Sequence, residues 1–356
     1  MSDYFKSRDE KNLVKINNVL SEMPEFVGQF IFGIASQTST LTRLNYLMDI
    51  KVFLTYLVNN KFSSKKLADI TLSDIEKISP HDIEFYIDGL SSYFYDGKKL
   101  SCGEKAKERK LASLRSFYKY LYKKEMISSN VSLKVDMPKL HEKPIVRLEP
   151  DEVGRMLDSV ENGSNLSDRE RAYNTVTGLR DMAIIYLFLG TGIRVSELVG
   201  LNRKDVDFDN LTFAVTRKGG NRSILYMPLD TADILKKYLD WIDEQKEDNT
   251  EFARKISDDD ALFYSLQGTR IGVRTVEKLV KKYASPAAPL KKITPHKLRS
   301  TYATNLYRQT EDIYVVADVL GHADVNTTKK HYAQMSEEHK KHAAEVTQIK
   351  RRDSDS

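Results

Sequence analysis

The sequence predicts a mainly α-helical protein with a small β-sheet, arranged in two domains. Its 356 residues are enough for two domains of ordinary size. Apolar residues recur at helical spacing through most of the chain, and a polar stretch with three prolines interrupts that pattern at 138–150. We therefore expect a helical domain at 1–137, a linker at 138–150, and a second, α+β domain at 151–356 that ends in a tail helix.

The first third of the chain has clear helix signals. Ser79 and Pro80 form a capping serine and a first-turn proline, which predict a helix from there through Ile87. A further helix is expected to start at Ser101. One apolar stripe at helical spacing should face the core of this domain: Leu41, Leu44, Leu47, Ile50, Leu54 and Leu57.

Positive charge is concentrated between Lys98 and Lys124, where ten lysines and arginines stand against two acids. A solvated helix face is the ordinary explanation of such a run. Apolar residues from Leu111 to Leu121 are interleaved with the charges, so one side would pack while the other presents cations to a phosphate backbone. The candidate DNA-contacting residues are Lys105, Lys107, Arg109, Lys110 and Arg115.

The second domain should begin with a helix at Asp151–Val160. Residues 161–177 look like a polar loop or an extended helix end, for which the sequence gives no role. An apolar helix, Gly178–Leu189, should stop at the glycine turn that follows it. The β-like runs Leu211–Arg217 and Ser223–Met227 flank the segment KGGNR, which is a hairpin signal.

Four short motifs in this domain carry candidate chemistry. Arg194 follows the glycine turn, with Glu197 three residues later to orient it, although a surface ion pair is the common alternative. Lys218 lies at the expected hairpin tip, where lysines are also common without a function. His296 and Arg299 share one face of the first turn of a helix, where backbone N–H groups favour an anion.

The fourth motif pairs His322 with Tyr332, ten residues further on. An ordinary helix-capping turn would explain the histidine alone. Tyr332 follows two lysines and a histidine, and a phenol with a free pKa of about 10 needs such cations or a base to act as a nucleophile at neutral pH. Two arginines, a lysine, two histidines and a tyrosine fit one phosphate, without a metal ion or another cofactor.

The motifs are, in order, TGIRVSEL, the lysine of TRKGGNR, HKLR, LGH and the final tyrosine. This order resembles the signature of the tyrosine site-specific recombinases, the phage integrase family that includes the Xer proteins. The resemblance covers Leu148 to about His339 and extends more loosely over the N-terminal helices, which resemble the family's core-binding domain. The overall length and TRKGG are similar to those of the single-protein Xer systems.

The resemblance implies a role for each matched position. Arg194 and Arg299 would hold the nonbridging oxygens of the scissile phosphate, and Glu197 would support them. His296 and His322 would add hydrogen bonds and handle protons. Lys218 would protonate the leaving 5′ oxygen, and Tyr332 would form a 3′-phosphotyrosyl link that a foreign 5′ hydroxyl then resolves.

The resemblance also implies partners. The two domains would form a clamp around double-stranded DNA with inverted-repeat half-sites, and four protomers would assemble on two paired sites, with a monomer or dimer when free. It is compatible with both chromosome dimer resolution and DNA integration or excision. Because the longest apolar run is far shorter than the ~20 residues of a membrane span, we expect no membrane association and a cytoplasmic location. Cys102 is the single cysteine, which excludes an intrachain disulfide.

Three alternatives stay open at this point. A non-catalytic DNA-binding protein could use the same basic surfaces. A type IB topoisomerase shares the chemistry but relaxes supercoils without pairing two sites. Tyr302 and Tyr307, close to HKLR, compete with Tyr332 for the role of nucleophile.

Overall fold

The computed structural model describes residues 3–141, 145–164, 166–217, 220–258, 260–321 and 325. The chain divides into two compact units, Met1–Lys143 and Pro144–Ser356, and the boundary falls within the expected linker stretch. Both units are mostly helical, as the sequence predicts, and each also contains a small sheet, which the sequence predicted only for the second unit.

In its described residues, the first unit contains six α-helices and a two-stranded hairpin. These elements are α1 (Asp3–Leu20), α2 (Glu25–Gly33), α3 (Thr40–Asn60), α4 (Leu72–Glu76), α5 (Pro80–Gly89), β1 (Tyr93–Tyr95), β2 (Lys98–Leu100) and α6 (Glu104–Lys123), with short 3₁₀ helices at Leu67–Asp69 and Val131–Lys134. Helix α3 is central and packs against α1, α2 and α6.

The predicted apolar stripe forms the buried face of α3. Leu47, Ile50, Leu54 and Leu57 are buried, and the apolar side of α6 meets them in one continuous core. Leu41 departs from the prediction and is exposed, because it lies in the first turn of α3, before the buried part of the helix begins.

Helix α5 begins as predicted. Ser79 Oγ accepts the backbone N–H of Asp82, Asp82 accepts that of Ser79, and Pro80 occupies the first turn. This reciprocal cap satisfies two N–H groups that a helix start leaves without intrahelical partners.

The helix expected at Ser101 begins three residues later, because residues 93–100 form a hairpin that the prediction missed. Its turn contains Asp96 and Gly97, both with positive φ, which is the Asp-Gly signal of a tight two-residue hairpin. Lys98 and Lys99 consequently belong to strand β2, and Gly103 is the N-cap of α6.

The second unit has eight α-helices and a three-stranded antiparallel sheet within the described residues. These elements are α7 (Pro150–Asn162), α8 (Asp168–Thr191), α9 (Val195–Leu198), β3 (Val206–Asp207), β4 (Thr212–Thr216), β5 (Arg222–Tyr226), α10 (Leu229–Glu247), α11 (Glu251–Arg254), α12 (Val273–Ala287), α13 (Pro295–Thr310) and α14 (Ile313–Leu320). Helix α8 is central and packs against α7, α10 and α13.

The polar segment 161–177 is largely the start of α8. Ser167 caps this helix, and Thr177 and Asn174 on it contribute polar groups to a buried cluster. Asp181 accepts hydrogen bonds there from Thr177, Arg180 and the Tyr283 hydroxyl. The segment therefore helps to satisfy buried charge, since a buried carboxylate is stable only when it is paired.

The predicted β-hairpin is present as β4 and β5, paired in register from Thr216–Arg222 to Thr212–Tyr226. The short strand β3 extends the sheet on the other side of β4 and was not predicted. Phe213, Val215 and Leu225 face the core, so the inner face of the hairpin is held in place by packing.

Candidate active site

Arg194 follows the end of α8. Gly192 closes that helix in the left-handed conformation, at φ 62°, and Arg194 then caps the single turn of α9. Its Nη1 donates to Glu197 Oε1 at 2.8 Å, and its backbone N–H donates to Glu197 Oε2 at 3.0 Å. The predicted pairing of these two residues is present, with Glu197 buried and the arginine side chain 35% exposed.

Arg299, the fifth residue of α13, is buried and donates to main-chain carbonyls. Nη1 donates to Gly192 O and Nη2 to Leu320 O, each at 2.6 Å. One guanidinium thus fixes the end of α8 relative to the end of α14. His296 lies three residues before Arg299 on the same helix and is exposed. Its main-chain carbonyl accepts a hydrogen bond from the Ser300 hydroxyl.

Arg217 was not singled out from the sequence, yet it lies in the same cluster. Its Nη1 donates to Leu320 O at 2.6 Å and lies 3.9 Å from Glu197 Oε1. Arg194 Nη2 donates to the adjacent Gly321 O at 3.3 Å. Three arginines from separate parts of the chain therefore meet at two consecutive carbonyls, and we call Leu320–Gly321 the anchor turn.

The electrostatics of this cluster depend on burial. The pKa of Arg217 is lowered, first because burial disfavours its charge and also because Arg194 is near, while Glu197 and Asp318 oppose the shift. The Glu197 carboxylate compensates two guanidiniums inside a region that water reaches poorly. Charge of this kind, fixed before a ligand arrives, can stabilise a developing phosphate anion without reorganising.

Tyr302, a rival nucleophile, packs beside this cluster. A Cβ on Gly192 would overlap its ring, so the turn after α8 and the tyrosine are in close contact. Burial raises the pKa of Tyr302, although Arg299 opposes the shift. A raised pKa disfavours the phenolate that attack requires. Tyr307 on the same helix packs against a small apolar cluster of α13 and α14.

Three of the predicted catalytic residues, Lys218, His322 and Tyr332, lie outside the described residues. Lys218 belongs to the five-residue connection between β4 and β5, next to Arg217, and His322 directly follows the anchor turn in sequence. The residues that the structure brings together are Arg194, Glu197 and Arg299, with Arg217 added. A sequence signal for Arg217 exists only in its position beside Lys218.

In the first unit, the predicted DNA-contacting residues have different environments. Lys105 is exposed, and Lys107 donates to Ser91 Oγ at 2.7 Å. Arg109 is half-exposed and pairs with Asp49. Arg115 donates to Val135 O at 2.6 Å.

Lys110 departs from the expectation of a surface cation. Its side chain is 7% exposed and its Nζ donates to the buried Asp49 at 2.9 Å. Asp49 also accepts the hydroxyl of Ser113. The lysine lies on the packed side of α6, where its charge is used to compensate a buried carboxylate.

Neither a metal centre nor a membrane span is found in the described part of the chain. No group of three or more His, Cys, Asp or Glu residues there could hold a metal ion. None of the helices formed by those residues is long and apolar enough to cross a membrane.

Comparison with known proteins identifies the family to which this two-unit helical protein belongs. Residues 146–339 match the phage integrase family, and residues 29–125 match its N-terminal SAM-like domain. The chain belongs to the phage integrase family: it is a tyrosine recombinase, an enzyme that cleaves and rejoins DNA at specific sites through a tyrosine intermediate.

Two curated relatives illustrate the likeness. The chain is 30% identical over 315 residues to tyrosine recombinase XerC of Syntrophus aciditrophicus, covering 87% of this chain and 93% of that protein. It is 32% identical over 343 residues to tyrosine recombinase XerS of Streptococcus equi subsp. equi, covering 89% and 93%.

Solved structures share the fold. XerH bound to difH in a pre-cleavage complex matches with a TM-score of 0.60 and 20% identity, over 91% of this chain and 85% of that one. A lambda integrase tetramer bound to a Holliday junction matches with a TM-score of 0.58 and 17% identity, over 86% and 76%.

Proposed function

We propose that this recombinase holds the scissile phosphate with Arg194 and Arg299 and cleaves it with Tyr332. The observation that carries the proposal is the convergence of those arginines on the anchor turn, next to the buried Glu197. Arginine donors match phosphate oxygens in geometry and charge, so a cluster fixed in this way is suited to the charge that develops at phosphorus.

The remaining roles follow the order of the motifs. Lys218 protonates the leaving 5′ oxygen, and His296 and His322 donate hydrogen bonds to the phosphate and transfer protons. Tyr332 attacks phosphorus, the bond to the 5′ oxygen breaks, and a 3′-phosphotyrosyl ester forms. In the rejoining step, a 5′ hydroxyl from another strand attacks the phosphotyrosyl ester and releases Tyr332. The ester retains the energy of the broken phosphodiester bond until this step.

The proposed substrate is double-stranded DNA with inverted-repeat half-sites. Two protomers bind one site and four assemble when two sites pair, from a protein that is monomeric or dimeric when free. This assembly is supported by the fold that the chain shares with the tetrameric lambda integrase complex. A cytoplasmic location follows from the proposal, because the DNA to be recombined lies there.

A nicked DNA site, from which the short 5′ fragment diffuses away after cleavage, tests the nucleophile. The protein should accumulate a covalent DNA adduct that survives denaturation. Tyr332→Phe should abolish the adduct and leave DNA binding within a few-fold of the unmodified protein, because only the attacking hydroxyl is lost.

Two matched controls address the rival tyrosines. Tyr302→Phe and Tyr307→Phe each remove one hydroxyl from α13 and should leave the adduct in place. An adduct that persists in the Tyr332 variant and maps to either of these tyrosines would overturn the assignment.

A further inference from the structure

Arg217 links two segments of the chain, and each is followed in sequence by a residue with a proposed catalytic role. It immediately precedes Lys218, and its guanidinium donates to Leu320 O, two residues before His322. Its backbone N–H donates to Asn221 O at 2.8 Å, which closes the base of the β4–β5 connection. The side chain therefore joins the base of that connection to the anchor turn.

The Arg217 side chain is largely buried and has specific hydrogen-bonding and charged partners. The side chain is 13% exposed and shares the Leu320 carbonyl with Arg299. Gly321, at φ 60°, lies so close that a Cβ there would overlap the Arg217 guanidinium. Burying a guanidinium is costly unless it is hydrogen-bonded and compensated, and here the Leu320 carbonyl and Glu197 provide both.

Arg222 offers an internal comparison. It belongs to the same hairpin and carries the same charge, but it is 68% exposed and pairs with Asp205 at 2.9 Å. An exposed ion pair of that kind contributes little to stability. Of these two hairpin arginines, Arg217 donates to the anchor turn.

We propose that Arg217 is a positioning residue for DNA cleavage, which holds the connection carrying Lys218 against the anchor turn that precedes His322. This inference rests on the leaving-group role proposed for Lys218. Arg217 does not itself donate to the phosphate. It acts by keeping the lysine within reach of the 5′ oxygen, and general-acid catalysis requires such reach first.

The test is single-turnover cleavage of the nicked site at saturating protein, with either oxygen or sulfur as the 5′ leaving atom. Arg217→Met keeps much of the side-chain volume and removes the donors. It should slow cleavage of the oxygen substrate on the order of 10- to 100-fold, as displacement of a catalytic group by about 1 Å does. The sulfur substrate, whose leaving group needs no protonation, should be cleaved at close to the normal rate. Arg222→Ala should cleave both substrates normally.

A double variant separates positioning from a general structural role. In the Lys218→Ala background, Arg217→Met should cause almost no further loss, because the group that it positions is already absent. Arg217→Lys retains the charge and one donor nitrogen and should recover part of the rate. If thermal unfolding shows that Arg217→Met does not fold, Arg217→Lys takes its place in the comparison with and without Lys218→Ala.

The outcomes are distinguishable. If Lys218→Ala cleaves both substrates normally, the role proposed for the lysine fails. If Lys218→Ala slows cleavage of the oxygen substrate but Arg217→Met does not, the inference about Arg217 is overturned. It is also overturned if Arg217→Met slows cleavage by the same factor with the oxygen substrate, with the sulfur substrate and in the Lys218→Ala background.

Discussion

The Glu197 carboxylate lies between two guanidiniums, hydrogen-bonded to Arg194 and 3.9 Å from Arg217. The sequence predicted the first of these pairings because it is local: an acid three residues after an arginine at a helix start faces it. It could not predict the second, since Arg217 reaches the cluster only after the sheet has folded. The same reason hides the carbonyl partners of Arg299, which are 107 and 21 residues away.

Replacing Glu197 with glutamine should slow DNA cleavage. The amide keeps the shape but removes the charge that compensates two arginines, so their orientation toward the phosphate weakens. We expect a loss on the order of 10- to 100-fold in single-turnover rate, as for other groups that orient catalytic residues. Binding of the DNA site should change little, and Glu277→Gln on the exposed side of α12 should have no effect. A Glu197→Gln enzyme that cleaves at the normal rate would remove the carboxylate from the site.

Asp74 is a buried carboxylate whose ionisation should make stability depend on pH. Burial raises its pKa, but hydrogen bonds from Lys65 and Thr71 outweigh that effect and lower the pKa from 3.8 to about 2. A depressed folded-state pKa stabilises the protein above the unfolded value near 4, and the contribution is lost as pH falls through about 2. The shift corresponds to about 2 kcal/mol.

The measurement is the free energy of unfolding for the unmodified protein and Asp74→Asn between pH 7 and pH 3. The variant should be less stable by about 2 kcal/mol at pH 7, and the difference should shrink as the pH is lowered. A difference that stays constant over this range would show that the carboxylate charge is not the source.

At the scale of elements, α6 shows which part of a charge pattern the sequence reveals. The amphipathic spacing correctly placed its apolar residues in the core. The helix starts three residues later than predicted, because the short hairpin β1–β2, which the sequence analysis did not predict, precedes it. The pattern also could not separate a surface lysine from Lys110, since that depends on Asp49 arriving from α3.

Lys105 and Lys110 should therefore respond differently to alanine substitution. Lys105→Ala removes an exposed cation, and it should weaken DNA binding and reduce the salt slope by about 0.9 if it neutralises one phosphate. Lys110→Ala leaves Asp49 with one cation fewer in a buried site, so it should lower the free energy of unfolding by about 3 kcal/mol. The measurements are binding against salt concentration and denaturant unfolding. Equal salt slopes in the two variants would contradict this division.

At the scale of the whole molecule, the sequence predicted two helical units and the family, because both depend on patterns spread along the chain. It also predicted a tail helix after Tyr332, which lies outside the described residues and stays a prediction. The segment SEEHKKHAAEVTQIK has few apolar positions to anchor it in its own unit.

We expect this tail to join neighbouring protomers in the assembly. Head-to-tail contacts form closed rings when the rotation between protomers closes. Truncation after Met335 should leave binding to a single half-site measurable, while cooperative binding to the full site and recombination between two sites should fall. Gel mobility shifts and a two-site recombination assay measure the two effects. A truncated protein that pairs sites and recombines at the full rate would exclude the tail as the link.

The anchor turn presents main-chain oxygens to three arginines, and this has a consequence for how the enzyme can vary. No codon change deletes a peptide carbonyl, so the acceptors persist in every descendant that keeps the backbone path. The positions most sensitive to substitution are instead two glycines beside the cluster, Gly192 and Gly321. Both have positive φ, so any side chain there both strains the backbone and overlaps a neighbour.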